Sequence, residues 1–469
     1  MLVRQHVLCN DVGAFSTPVS YLVRWYGVLE LSRWMAIAGT SHAQREWVSF
    51  YGARTDSSGS SRGRSAMRPR RLAAIVAAGF VSLMISNDVA AQDTRAELIR
   101  QAQEQRHEQL TPSRPNAFEA FLDRLEDWGL IVSEPRGVYP WFGSVYPGGG
   151  FAAGAGARRA FGDDGAVNVY SAYSISRFSR VQADAALPSF ARDRARLTLS
   201  GRYVDAPDVR YFGVGNSTLK EDETRFGYTP TTGSALLDAN LGKGFSIGAG
   251  AKYHHVDTDG GRTAPSIEEG FTPVDTPGLE LSTFNYVNGT AFATFDWRRN
   301  LGYSGRGGMY RVQFDDFRER DNDQYSFRSI EAEVTQLIPI LRANWVIALR
   351  GLATVTDLED PGSVPYFLLP SLGGGSTLRG YPDFRFQDRN RLLMNAELRW
   401  TPARFLDMAI FYDTGKVAAR REDLDFEDLK DSYGIGMRFI GVKGYAFRIE
   451  AARSQENNLR LVVGAGGAF

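Results

Sequence analysis

The sequence predicts an all-β fold: a transmembrane antiparallel β-barrel of about 16 strands behind a short N-terminal helical segment. Three observations predict it. From about residue 149, apolar residues recur with period two, the mark of strands with one apolar face. The opposite face carries Gly, Ser, Asn, Arg and Glu rather than a second apolar set, as a polar lumen requires. Short turns such as Gly162-Asp163-Asp164-Gly165 alternate with long loops such as 257–280, and the strands approach the ~9–11 residues a tilted membrane-crossing strand needs.

Taken in order, residues 1–66 show no periodicity and hold Arg, Ser and Gly clusters; they read as a mis-annotated or disordered extension. Met67-Arg68-Pro69-Arg70-Arg71, the uncharged run LAAIVAAGFVSLMI (72–85) and Val89-Ala90-Ala91 have the three-part form of a signal peptide over 67–91, cut after Ala91. The run is short of the ~20 apolar residues of a spanning helix. Met67 is then the true start, and a mature chain beginning upstream of it would exclude that. Residues 92–148 form a periplasmic helical leader: 94–110 is helix-prone and rich in Gln, Pro112 and Pro115 end it, and Phe118, Phe121, Leu122 and Leu125 have helical spacing.

The barrel occupies 149–469, with strand starts near 149, 166, 193, 208, 224, 234, 245, 282, 306, 325, 343, 391, 405, 432, 443 and 458. Between 208 and 242 one long strand is easily read as two. Alternation is clean in 245–253 (Phe245, Ile247, Ala249, Ala251, Tyr253 outward) and in 166–176, whereas Phe292 interrupts the polar face of 290–297. The last strand puts Leu459, Leu461, Val463, Ala465 and Phe469 on one face, with the terminal Phe469 at the interfacial aromatic girdle. The glycines of GGGFAAGAG (148–156), taken as the first strand, either weaken its pairing or permit curvature and close approach.

Composition narrows function. Lys+Arg and Asp+Glu are both 54, which gives no basic excess for nucleic acid. The single Cys, Cys9, excludes an internal disulfide framework. There is no Gly-x-Ser-x-Gly elbow, hence no lipase or protease reading, and no catalytic residue is assigned. Of five histidines only His254-His255 are adjacent; neighbours on a strand face opposite sides, so no metal site and no cofactor is expected. The acidic run 421–431 reads as a solvated outer loop, with cation-bridged lipopolysaccharide as the alternative.

The remaining motif is SLGGGSTLRGYPDFRF (371–386). It is not a P-loop, for no Gly-Lys-Ser/Thr ends it, and no helical pattern follows as a dinucleotide fingerprint needs. With Leu378-Arg379-Gly380-Tyr381 between the eleventh and twelfth strands, the sequence resembles the BamA/TamA-type outer-membrane barrels, which include surface antigens and two-partner secretion transporters. The likeness rests on residues over about 360–469 and on pattern elsewhere. It implies a sixth outer loop folded into the lumen as a plug, its arginine meeting wall carboxylates.

Strand parity agrees. Leu392, Met394, Ala396, Leu398 and Trp400 face lipid, so Glu397 faces in with Asn395 and Arg399. Leu406, Met408, Ile410 and Tyr412 face lipid, so Asp413 faces in with Asp407. Ala396-Glu397-Leu398, Phe411-Tyr412-Asp413-Thr414-Gly415 and Tyr433-Gly434-Ile435-Gly436-Met437-Arg438-Phe439 match the family's pattern, the last with Arg438 inward. Gly380 and 373–375 are expected to adopt backbone angles closed to other residues.

The resemblance further implies the bacterial outer membrane, contact with its lipid and lipopolysaccharide, dependence on the barrel-assembly machinery during insertion, and a role in protein or lipid insertion or translocation. A passive small-solute pore and a structural or adhesive surface antigen are the alternatives. The better-known members carry POTRA domains of ~75 residues; 92–148 shows no βααββ order, so a short form lacking them is expected.

Overall fold

The computed structural model describes residues 137–298, 305–340, 344–358, 362–403, 405–441, 444–467 and 469. The expected start at Met67, the signal peptide with Ala91, and the leader up to residue 136 lie outside them.

Sixteen strands pair in chain order into one antiparallel sheet. They are β1 (Gly137–Gly143), β2 (Ala152–Phe161), β3 (Gly165–Ser174), β4 (Ser179–Ala186), β5 (Ala195–Tyr211), β6 (Thr224–Gly242), β7 (Phe245–Gly260), β8 (Thr283–Asp296), β9 (Gly307–Glu319), β10 (Phe327–Ile340), β11 (Trp345–Leu358), β12 (Asn390–Ala403), β13 (Leu406–Ala418), β14 (Lys430–Gly441), β15 (Gly444–Ser454) and β16 (Arg460–Ala465). Seven connections join them at one end and eight loops at the other. Of these we name the third (212–223), the sixth (359–389), the seventh (419–429) and the eighth (455–459). Among the described residues no ladder joins β1 to β16.

The strand number matches expectation through compensating errors. Starts near 193 and 208 fall in one strand, β5, whose register shifts between Ala206 and Val209, so its alternation changes phase there. Starts near 224 and 234 both fall in β6, an unbroken 19-residue strand in which Pro230 and Gly233 weaken the pattern. In turn β4 and β1 have no expected start. β4 pairs an inward Arg180-x-Gln182-x-Asp184 row with small outward residues. β1 carries Pro140, which disfavours a strand assignment but is admissible at a sheet edge. The expected leader therefore ends before residue 137, and GGGFAAGAG belongs largely to β2, one strand in from the seam.

The outer face is apolar at mid-height: Leu237, Ile247, Val287, Val312, Ile330, Ile410, Ile435 and Leu461 are exposed, which in hydrocarbon is the favourable state. Toward the short-turn end this belt is edged by stacked cross-strand aromatics, Trp345–Trp400 with ring centroids 5.5 Å apart and Phe439–Phe447 at 4.3 Å. Toward the loops the outward residues of β7–β10 become polar and paired, as in His255–Asp257 and Arg318–Asp316–Arg328. β6 and its neighbours therefore outrun the ~9–11 residues a crossing needs, and the wall continues past the belt.

The lumen is less polar than expected. In its loop-side half the inward Tyr211, Phe226, Tyr228, Phe284, Tyr286 and Phe317 pack with Tyr366 and Phe367 of the sixth loop. Polar inward residues dominate only below this cluster and around the last strands.

Candidate functional site

The sixth loop carries a two-stranded ribbon, Ser371–Leu372 against Phe386–Gln387, and between its arms the chain turns at Leu378-Arg379-Gly380-Tyr381. Gly373 and Gly374 have φ of 116° and 90°, angles closed to ordinary side chains. Gly375 and Gly380 do not, contrary to expectation. Gly380 serves close approach instead: a Cβ there would lie 2.7 Å from Ser432 Cβ and 2.8 Å from the Arg453 carbonyl oxygen. Leu372, Leu378, Tyr381 and Phe386 bury themselves with Leu352, Leu393 and Val417 of the wall, which fixes the turn against β11–β13.

This places Arg379, 1% exposed, among inward side chains. Its Nε donates to Asp413 Oδ2 at 2.9 Å and its Nη2 to Asp413 Oδ1 at 2.6 Å, a forked pair. Nη1 donates to Glu397 Oε1 at 2.6 Å and to Glu450 Oε1 at 3.0 Å. The Arg379 backbone N–H also donates to Asp413, which accepts from Asn395 Nδ2 and Ser432 Oγ as well. Arg438 Nη2 donates to Glu397 at 2.5 Å and to Glu450 at 3.3 Å. Arg399 donates to Glu397 and Arg448 to Glu450. The result is a buried lattice of Glu397, Asp413 and Glu450 with Arg379, Arg399, Arg438 and Arg448. Burial by itself would lower the pKa of Arg379; Glu397, Asp413 and Glu450 outweigh it and hold the guanidinium above its ordinary value.

One face of Arg379 lies on an aromatic ring, with Cζ 3.5 Å from the Phe411 centroid. Phe411 can lie flat because Gly434 is opposite it: a Cβ there would sit 2.5 Å from the ring and 2.1 Å from the Ala451 carbonyl. Close approach thus gives a physical reason for Gly434 in the Gly-x-Gly-x-Arg strand.

The chemistry of this cluster is electrostatic fastening. His254 faces in beside Thr232 and His255 faces out to Asn285, so the pair cannot share one ion. Among the described residues no group of three or more His, Cys, Asp or Glu could hold a metal.

A family model for the Omp85 superfamily domain matches residues 161–469, more than half of the chain. The chain belongs to the Omp85 superfamily. Its barrel is similar to that of BamA from Haemophilus ducreyi lacking POTRA domains 1–3, at 15% identity and TM-score 0.54, covering 74% of this chain and 78% of that one. CdiB from Escherichia coli aligns at 12% identity and TM-score 0.47, over 72% of this chain and 64% of that one. No curated protein matches the sequence. As an Omp85 barrel the protein resides in the bacterial outer membrane.

The structure brings Arg379, Glu397, Asp413 and Arg438 into one cluster and adds Glu450, Arg448 and Phe411. The same parity argument reaches Glu450 and Arg448, since Phe447, Ile449 and Ala451 alternate with them; the stacking on Phe411 has no signature in sequence. A second buried loop arginine, Arg385, forks onto Glu456 at 2.7 and 2.8 Å, donates to Thr218 and has its Cζ 5.0 Å from the Phe212 ring and 4.5 Å from the Phe386 ring. Phe469 departs from expectation. It packs against inward Leu337, Val346 and Ala348, with Arg399 Cζ 5.0 Å from its ring. Past the end of β16, Arg448 donates to the carbonyls of Gly466 and Gly467.

Proposed function

We propose that this Omp85 barrel acts in outer-membrane biogenesis, inserting or translocating protein or lipid without catalytic chemistry of its own. The sixth loop is its lumenal plug, and the β1–β16 seam is where cargo meets the membrane. The observation that carries the reading is the fastening of Arg379 to three buried carboxylates in a barrel whose terminal strands share no ladder among the described residues. A guanidinium buried this way is tolerated only with its partners in place, so the loop is held in one position. Cargo too large for an occupied lumen then has the seam as its route. Pro140 in β1 supports this, since it removes one main-chain donor from an edge strand.

The exposed apolar belt and the charged wall above it support contacts with outer-membrane lipid and lipopolysaccharide, and family membership supports insertion by the barrel-assembly machinery. Single-channel recording separates this reading from a passive pore. Small conductance that rises on deleting 373–386 supports a plugged translocator, whereas large stable conductance in the unaltered chain refutes it. Crosslinking from β1 and β16 in cells identifies the cargo.

A further inference from the structure

β16 is short and poorly supported by the sheet. It spans six residues and pairs with β15 from Arg460–Ala452 to Ala465–Phe447. On its other side no ladder to β1 exists among the described residues. In hydrocarbon an unpaired main-chain group is costly, so a strand held on one side only is expected to peel unless something else anchors it.

The anchor is the sixth loop. Four of its main-chain carbonyls are capped by donors from the last hairpin. Gly375 O accepts from Arg448 Nη2 at 2.9 Å. Gly380 O accepts from Ser454 Oγ at 3.0 Å and Asn457 Nδ2 at 3.1 Å. Arg379 O and Tyr381 O both accept from Arg460 Nη1. Arg460 Nη2 completes its set on Asp383 Oδ2 at 3.0 Å. Glu456, in the loop joining β15 to β16, receives the fork of Arg385. Arg460 is the first residue of β16 and reaches the motif on both sides of Gly380.

We infer that the sixth loop, rather than β1, holds β16 in the wall, and that Arg460 is the latch: a positioning residue that couples the loop to the seam. This rests on the proposed reading of the seam as the cargo route. The Arg379 lattice ties the loop to β12, β13 and β15; Arg460 ties it to β16. The two fastenings share the loop but no side chain, so the seam strand can be released while the loop stays seated. A cargo strand arriving at the seam competes for β16 against Arg460 and Asp383, both only about a fifth exposed.

Hydrogen–deuterium exchange on the full barrel in detergent or nanodiscs tests this. In Arg460→Ala, amides of 461–465 should exchange about tenfold faster or more, the factor that losing one hydrogen bond to a charged group carries. Amides of 392–413 should stay within about twofold, since they draw on the Arg379 lattice. Asp383→Asn, which keeps shape and fold, should move the same amides in the same direction. Unchanged exchange at 461–465 in both variants overturns the inference, and so does a uniform rise across all strands. Seam crosslinking in cells is the separate arm. If no cargo is captured while 461–465 still responds, the latch stands and the cargo route fails; if cargo is captured while 461–465 does not respond, the latch alone fails.

Discussion

Replacing Arg379 by alanine removes four side-chain hydrogen bonds and the stack on Phe411. The three carboxylates do not suffer equally. Glu397 keeps Arg438 and Arg399, and Glu450 keeps Arg438 and Arg448. Asp413, fully buried, loses its forked partner and retains only Asn395, Ser432 and the residue-379 amide. Stranding one buried charge costs about 3–5 kcal/mol. At 1.36 kcal/mol per decade this is roughly two to four decades in the unfolding equilibrium. Guanidinium unfolding of the detergent-solubilised barrel, followed by heat-modifiable gel mobility, should show the shift. Asp413→Asn in the Arg379→Ala background removes the stranded charge and should recover part of the loss. Arg379→Lys should fall between, because an ammonium cannot fork onto Asp413 while reaching Glu397 and Glu450. An Arg379→Ala barrel with unchanged midpoint and protease resistance, or one that Asp413→Asn does not help, would refute the reasoning.

Other expectations are as direct. Gly434→Leu must displace Phe411 and with it Arg379; overpacking of this kind costs about 1–3 kcal/mol, readable in the same unfolding assay. Glu456→Gln loses the charge that Arg385 forks onto, and should make the third and sixth loops more sensitive to external protease in intact cells, with the midpoint little altered. Burial pushes the pKa of Tyr381 up from 10 to about 12, so the folded state holds that proton more tightly. Its contribution is complete below pH 10 and is lost as pH rises from 10 to 12; Tyr381→Phe should flatten stability over that window. Phe469→Cys should react with a water-soluble maleimide in a detergent-free nanodisc, whereas a lipid-facing residue 469 would be shielded.

Much of this protein is legible in one dimension because a barrel strand writes its two environments alternately. Glu397 and Asp413 are assigned to the inner wall by parity, since Leu398 and Tyr412 beside them face lipid, and Arg438 by likeness to the family's Gly-x-Gly-x-Arg strand. The Arg-Gly-Tyr turn is visible through its likeness to a family signature; by residue types alone it reads as an ordinary turn. What parity cannot supply is which inward groups meet. That Arg379 chooses Asp413 for its fork, lies on Phe411 and reaches Glu450 on a strand 71 residues away depends on where the sixth loop enters the lumen. The bulge in β5, the Pro in β1 and the inward turn of Phe469 escape the sequence for a related reason. Each breaks the alternation locally, and only the neighbouring strands decide what the break becomes. Period-two chemistry sets the wall; loop closure across the lumen, which sequence separation hides, sets the site.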